Sequence, residues 1–205
     1  MRQFTIWLIS LVWIASFCLA SPVLADKIAK KSPDYPVVIE NLEQLLALQG
    51  DPSQTEYSPE ELQQEIEAVK LQKYVLETSE DWGVCRNQTG KILGIYGHAP
   101  KKSSQDTLVY LADGEETDDS WDCEGIYLPN DIQVASLNLT AGEPSTVKIL
   151  DGTHLVVTTN PTTGELEFNL PSALLEVVPI TDNNWPVPNL AQGDIDAQVP
   201  NAPID

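Results

Sequence analysis

Residues 82–98 read WGVCRNQTGKILGIYGH, and the character of the chain changes at this stretch. Before it, apolar residues recur at helical spacing. After it, short β-prone runs alternate with turn residues, a pattern typical of an antiparallel sandwich or barrel. The sequence therefore predicts an α+β protein, with an N-terminal helical pair followed by an antiparallel β-sandwich or barrel-like domain over residues 79–180. Candidate strands are Gly83–Asn87, Lys91–His98, Thr107–Ala112, Gly125–Leu128, Ile132–Leu139, Thr146–Leu150, His154–Thr159, Glu165–Leu170 and Ala173–Ile180.

The helical pair is expected over residues 37–78. Apolar residues between Ile39 and Leu46 keep helical spacing, and Gly50 stands before an Asp-Pro pair that ends the first helix. Ser58 and Glu61 then have the spacing of a capping box at the start of the second helix. The end of that helix stays open, because Tyr74-Val75-Leu76 suits either a last helical turn or the start of a strand.

Two turns in the β-domain have recognisable chemistry. Leu150-Asp151-Gly152-Thr153 contains the Asp-Gly pair of a two-residue hairpin, so the strands on either side are expected to pair with each other. Asn160–Gly164 is a longer turn that is expected to link the next two strands.

Cys85 and Cys123 are expected to form the disulfide of this domain. The third cysteine, Cys18, lies in the N-terminal segment that is expected to be removed on export, and an exported protein meets an oxidising compartment. A zinc site that recruits His98 and His154 is an alternative, but these residues lack the short paired spacings of zinc motifs. A redox pair would need Cys-x-x-Cys, which is absent.

Residues 1–25 have the features of a signal peptide. A charge at Arg2 precedes an apolar stretch, and small residues lead to a cleavage site after Ala25. An uncleaved membrane anchor is an alternative because the apolar stretch is long, whereas lipidation at Cys18 is disfavoured by the bulky Phe17 before it. No later segment approaches the length of a membrane span. Residues 26–36, with lysines and prolines but no apolar period, are expected to be flexible.

Residues 181–205 are expected to form a disordered, acidic, proline-rich tail. Proline, asparagine, aspartate and glutamine dominate this segment, and aliphatic residues do not cluster in it. Trp185 is the exception. It suits either packing back onto the β-domain or a short docking motif.

The net charge of −20 lies mostly in the second half of the chain. Lys148 is the only basic residue after Lys102. This charge disfavours nucleic acid as a partner, because binding to phosphate depends on lysine and arginine displacing counterions. The asymmetry instead favours a protein or glycan partner with a cationic surface, a bound metal, or solubility alone.

The densest acidic stretch, residues 113–124, is a candidate Ca²⁺ site. Carboxylate oxygens at this density suit the six to eight oxygen ligands of Ca²⁺, although no frame matches the EF-hand loop. The alternative is a solvated acidic loop. The candidate ligands are Asp113, Glu115, Asp118, Asp119 and Asp122.

Catalysis has no motif to support it. Gly-x-Ser-x-Gly and His-Glu-x-x-His do not occur. A polysaccharide hydrolase with a carboxylate pair is conceivable, but the sequence singles out no pair. Trp82 and Trp121, near the two cysteines, are expected to cover the disulfide. A sugar-stacking face built from Trp121, Tyr96, Tyr110 and Tyr127 is the alternative.

Together these features predict an exported, acidic, non-catalytic binding or structural protein of the cell envelope, the periplasm, the extracellular space or another extracytoplasmic compartment. A Ca²⁺-dependent module that uses residues 113–124 is the alternative, and a polysaccharide hydrolase is a third possibility.

Overall fold

The computed structural model describes residues 28–51, 55–135, 137–179 and 185–204. The signal-peptide prediction for residues 1–25 lies outside these residues. Within the described ranges there are three α-helices, a 3₁₀ turn at Ser172–Leu174 and eight strands. The helices are α1 (Asp34–Gly50), α2 (Pro59–Thr78) and α3 (Gln192–Asp196), and the strands are β1 (Val84–Gln88), β2 (Leu93–His98), β3 (Thr107–Leu111), β4 (Asp122–Leu128), β5 (Ser145–Ile149), β6 (His154–Thr159), β7 (Leu166–Phe168) and β8 (Leu175–Pro179).

The N-terminal helical pair is confirmed. The side chain of Ser58 accepts a hydrogen bond from the Glu61 backbone N–H at 3.2 Å, and the Glu61 carboxylate accepts one from the Ser58 backbone N–H at 2.8 Å. This reciprocal cap satisfies two backbone donors at the start of α2. The ambiguous residues near Tyr74 belong to α2, because Leu76 is buried in the interface with α1. Among the described residues, no helix has the length and apolar character that crossing a membrane needs.

Part of the segment expected to be flexible is packed instead. Ile28 is only 2% exposed and lies in one apolar cluster with Val38, Val69 and Leu76 of the helical pair. Trp82 packs at the edge of this cluster and not against the disulfide, which corrects the expectation that it covers the two cysteines. Two adjacent apolar residues ahead of α1, Ile28 and Ala29, are buried and anchor the segment, and two adjacent residues leave no periodic pattern in the sequence.

Two sheets form the β-domain. The larger has the antiparallel order β3-β2-β4-β5-β8, and the smaller has the order β1-β6-β7. In the smaller sheet β6 and β7 are antiparallel, whereas β1 and β6 are parallel. The predicted fold class is confirmed as a helical pair followed by largely antiparallel sheets with one disulfide. Within the described ranges the sheets do not close into a barrel.

The main core lies between the two sheets. It is built from buried aliphatic side chains of both, with Ile95 and Ile126 on one side and Leu155 and Val157 on the other. The disulfide between Cys85 of β1 and Cys123 of β4 is confirmed and crosses this core. Trp121 is buried in the same cluster, as expected.

One predicted strand and one predicted hairpin are wrong. Residues 132–139 form no strand in the part that the structure describes, and Val134 makes only an isolated bridge to Leu166. The Asp151–Gly152 turn does not join a hairpin, because β5 pairs with β4 and β8 while β6 pairs with β1 and β7. The turn carries the chain from one sheet to the other. The Asn160–Gly164 turn does link an antiparallel pair, β6 and β7, as predicted.

The predicted disordered tail is also contradicted over residues 185–204; residues 181–184 and 205 lie outside the described ranges. Trp185 stacks on Tyr96 with ring centroids 4.5 Å apart. The Tyr96 hydroxyl donates to the Pro186 carbonyl at 2.8 Å, and the Tyr127 hydroxyl donates to the Pro188 carbonyl at 2.7 Å. The prolines that suggest disorder hold an extended segment whose apolar side chains cover both tyrosines.

We expect a chain that ends at residue 184 to lose stability and to expose apolar surface. Tyr96 and Tyr127 are fully buried beneath the C-terminal segment, so its removal returns both rings to water. Thermal unfolding and binding of the dye ANS measure the two effects. Val199→Ser, at a side chain in the same segment that is 81% exposed, should change neither. An unchanged melting temperature in the truncated chain would contradict this packing.

We expect the Cys85→Ser/Cys123→Ser variant to be less stable by about 4 kcal/mol, since the disulfide closes a loop of 38 residues. For a domain of this size that loss lowers the melting temperature by roughly 10 °C. Differential scanning calorimetry measures the change. Mass spectrometry after alkylation of the unfolded, unreduced protein should find both thiols blocked, and labelling at either cysteine would contradict the bond.

Candidate functional site

The larger sheet carries polar side chains on the face that points away from the main core. A cleft of about 780 Å³ lies between this face and the helical pair. Its walls come from α1, α2, β4, β5, the 3₁₀ turn and β8. The C-terminal segment covers another part of the same face, where it packs on Tyr96 and Tyr127. Buried acidic residues lie at and behind the cleft wall.

A β-bulge in β4 shapes this region. Tyr96 of β2 is opposite Gly125, but the next residue, Gly97, is opposite Cys123, so Glu124 has no partner on β2. A bulge of this kind bends the strand and redirects the side chain of the extra residue. One ligand atom from each of His98, Asp122 and Glu124 then lies within 4.8 Å of the other two.

Gly97 permits this close approach of β2 and β4. A Cβ atom at this position would lie 2.0 Å from the Asp122 carbonyl oxygen and 2.5 Å from Cη2 of Trp121. Both distances are far below van der Waals contact. The strand therefore requires glycine next to His98.

Asp122 is the most deeply buried member of the group, at 1% exposure. Its Oδ1 accepts a hydrogen bond from the Gly83 backbone N–H at 2.9 Å. Its Oδ2 has no hydrogen-bond partner among the described residues. Burial raises the pKa of the Asp122 carboxyl, the negative charge of Asp151 raises it further, and the Gly83 contact opposes the rise.

Glu124 lines the cleft. Burial, followed by the negative charges of Asp122 and Asp151, raises the pKa of Glu124 from its ordinary value of 4.5 to about 9. The protonated, neutral form of Glu124 is therefore favoured at neutral pH.

His98 is held in place by Asp106. Its Nδ1 lies 2.8 Å from Oδ1 of Asp106 and 3.7 Å from Oε1 of Glu124. The other oxygen of Asp106 accepts a hydrogen bond from Nε1 of Trp185 at 2.9 Å. Asp106 thus connects the ring of His98 with the C-terminal segment.

The start of α1 and the β5–β6 turn add two further acids, Asp34 and Asp151. The backbone N–H of Asp151 donates to Oδ2 of Asp34 at 3.3 Å, which joins the β5–β6 turn to the start of α1. Asp151 is 1% exposed, and neither of its carboxyl oxygens has a hydrogen bond of normal geometry within the described ranges. Burial raises the pKa of Asp151 and the charge of Asp34 raises it further, while the Ser32 side chain and His98 oppose the rise.

The sequence-predicted metal ligands do not come together. Asp122 belongs to the group with His98 and Glu124, but the other four residues join no such group among the described residues. Asp113 and Asp118 instead accept backbone hydrogen bonds, from Gly90 and Ser120 respectively. These bonds stabilise turns, so the geometry favours a structural loop over a Ca²⁺ site within residues 113–124.

The sugar-stacking face fails for a similar reason. Tyr96 and Tyr127 are fully buried, Trp121 is 5% exposed within the main core, and Tyr110 is partly buried against the cluster of Tyr96 and Tyr127. Their rings are covered by the protein itself. They therefore contribute to packing and offer no open aromatic platform.

The sequence singles out His98 only as a candidate ligand of the alternative zinc site with His154, and it does not single out Glu124, Asp106, Asp34 or Asp151 as site residues. Glu124 lies inside the acidic stretch, but the bulge that redirects it arises from pairing with β2. Asp34 and Asp151 are 117 residues apart in the chain.

Comparisons of the chain with protein-family models, with curated proteins and with solved structures find no match.

We expect the stability of the protein to fall as pH rises, in part through Glu124. Below about pH 4.5 the carboxyl is protonated in both states; between 4.5 and about 9 only the folded state holds the proton, so rising pH favours unfolding. Above about 9 this contribution to stability is gone. Glu124→Gln, which mimics the neutral acid, should reduce the drop in melting temperature between about pH 5 and about pH 8.

Thermal unfolding with EDTA in the buffer measures this drop. Glu143→Gln, at an exposed position, is the matched control and should retain the wild-type slope. Parallel slopes for wild type and Glu124→Gln would contradict the raised pKa.

Proposed function

We propose that the chain is an exported, non-catalytic binding protein and that its ligand site is the cleft between the helical pair and the larger sheet. The observation that supports this proposal most directly is the cleft itself. Its volume of about 780 Å³ falls in the range of ordinary ligand sites.

The chemistry of the cleft favours a basic, amphipathic ligand. Four acidic side chains and one lysine line it, so its charge is negative when the exposed carboxylates are ionised. Valines of α1 and α2 and leucines near β8 supply an apolar floor. A peptide segment with alternating lysine and apolar residues matches both properties. The charged lining residues are Asp34, Glu65, Glu124, Glu176 and Lys148.

Export is supported by two independent features. The first residues have the pattern of a signal peptide, and the Cys85–Cys123 bond is of the kind that persists in oxidising compartments. The excess of acidic residues after Lys102 agrees with a cationic partner outside the cytoplasm.

Binding is favoured over polysaccharide hydrolysis by the state of the neighbouring carboxyls. Glycoside hydrolysis uses one protonated and one ionised carboxyl. Burial raises the pKa of both Asp122 and Glu124, and the negative charge of Asp151 raises both further. Neither environment therefore stabilises the ionised carboxyl that the reaction needs.

We expect a short peptide of alternating lysine and leucine to bind the cleft, and a matching peptide of glutamate and leucine not to bind. Isothermal titration calorimetry at low and high salt measures the affinity, which should fall as salt screens the charges. Glu65→Gln/Glu176→Gln removes two exposed carboxylates from the cleft wall and should weaken binding by roughly tenfold.

The control is Glu43→Gln/Glu143→Gln, which makes the same charge change at exposed positions outside the cleft lining. It should bind as the wild type does. The absence of peptide binding, or an equal loss of affinity in both double variants, would refute this site.

A further inference from the structure

We propose that His98, Asp122 and Glu124 form a binding site for a first-row transition-metal dication of the Zn²⁺ class. The three side chains come from two adjacent strands, β2 and β4, so a rigid sheet positions them. This proposal does not depend on the identity or existence of a peptide ligand in the cleft.

The spacing of the three ligand atoms suits such an ion. Each lies within 4.8 Å of the other two. Ligands that bind Zn²⁺ tetrahedrally at about 2 Å are roughly 3.3 Å from one another, so small side-chain rotations bring these atoms to bonding distance. No other group of three histidine, cysteine or acidic residues within the described ranges meets the same spacing.

An unsatisfied buried oxygen points independently to a bound cation. Oδ2 of Asp122 has no hydrogen-bond partner in the part of the chain that the structure describes, although the side chain is 99% removed from solvent. A buried carboxyl oxygen without a partner costs free energy, and metal coordination is a standard way to satisfy it. Asp151, equally buried, adds a further acidic group whose charge acts on Asp122.

His98 also has the support that metal-binding histidines usually have. Its Nδ1 lies 2.8 Å from Asp106, so the N–H at this nitrogen can donate to that carboxylate. The lone pair of a neutral ring is then on Nε2, so an ion held by this nitrogen leaves the bond to Asp106 intact, whereas Nδ1 is the nitrogen that lies 3.7 Å from Oε1 of Glu124. Asp106 is a positioning residue, since its hydrogen bond sets both the orientation of the ring and the location of the proton.

The cleft gives an ion a route to the site. Glu124 is part of the cleft wall and its side chain is 17% exposed, so the group is reached from solvent. Three protein ligands leave a fourth position for water or another ligand.

The donor set selects the class of metal. One imidazole and two carboxylates suit Zn²⁺ and its neighbours, whereas Ca²⁺ prefers six to eight oxygen ligands. Zn²⁺ should therefore bind this group in preference to Ca²⁺. This assignment moves the metal site expected from the sequence away from residues 113–119 and keeps only Asp122.

The test uses the full mature chain, stripped with EDTA and dialysed. Calorimetric titration with Zn²⁺ should show one site per chain, Zn²⁺ should raise the melting temperature, and Co²⁺ should give the visible absorption of a low-symmetry site with nitrogen and oxygen ligands. Ca²⁺ at the same concentration should leave the melting temperature unchanged. No response to Zn²⁺ or Co²⁺, or a response to Ca²⁺ alone, would overturn the proposal.

Variants locate the site. His98→Ala should abolish the Co²⁺ spectrum, whereas His154→Ala, which removes the other histidine, should retain it. Asp106→Asn keeps all three ligands but disturbs the ring, and should weaken Zn²⁺ binding by roughly 10- to 100-fold. Loss of the spectrum in His154→Ala with its retention in folded His98→Ala would place the metal elsewhere.

Two further variants separate this site from the peptide cleft and from effects on folding. Glu65→Gln/Glu176→Gln should bind Zn²⁺ as the wild type does, even if no peptide binds. Asp122→Asn should lose the Zn²⁺-dependent rise in melting temperature, and its far-ultraviolet circular dichroism without metal reports whether the chain is folded. If Asp122→Asn does not fold, Glu124→Gln provides the same comparison. If whichever of these two variants folds binds Zn²⁺ as tightly as the wild type does, the proposal is refuted.

Discussion

The covalent bond between Cys85 and Cys123 joins the two sheets at their shared core, and the rest of the domain is arranged around it. Cys123 lies on β4, the central strand of the larger sheet, and β4 must therefore keep its inner face against β1. Residues on either side of Cys123 in a pleated strand then face away from the core. Asp122 and Glu124 occupy these positions, so the bond that closes the core also places two acids on the opposite face.

On that opposite face the fold buries carboxyl groups as well as apolar side chains. The helical pair and the C-terminal segment cover it, and together they enclose carboxyls that would be hydrated in an isolated sheet. Several contacts offset part of the cost, including the Gly83 backbone N–H on Asp122 and the charge of Lys148 near Asp34. The part of the burial cost that these contacts do not offset raises the pKa values of the carboxyls, because a buried carboxyl without a counter-charge holds its proton.

Local signals predicted the elements that depend on local chemistry. The capping box of Ser58 and Glu61 lies within four consecutive residues, and the strands of the larger sheet have clear β-prone runs. The disulfide follows from the count of cysteines and the expected compartment. Each of these signals needs only the neighbouring residues or the composition of the chain.

The structural features that the sequence did not indicate depend on contacts between residues far apart in the chain. The Asp151–Gly152 pair has the chemistry of a hairpin turn, yet β6 pairs in parallel with β1, which is about seventy residues away. The bulge at Glu124 exists only in the register between β2 and β4. Trp185 and the prolines after it lack any periodic pattern, and their order comes from two tyrosine hydroxyls on strands far away in the chain. The candidate site depends on such long-range contacts, which is why the sequence indicates only Asp122 and His98 among its residues, and His98 only for a different set of ligands.

The two hydrogen bonds of Asp106 have a thermodynamic consequence. One oxygen holds His98 and the other holds Trp185, so a single carboxylate contributes both to the order of the site and to the docking of residues 185–204. Two events that share one group are linked, and linkage is reciprocal: whatever changes the occupancy of one changes the equilibrium of the other by the same free energy. The C-terminal segment is therefore a part of the protein through which a distant interaction can adjust the affinity of the proposed metal site.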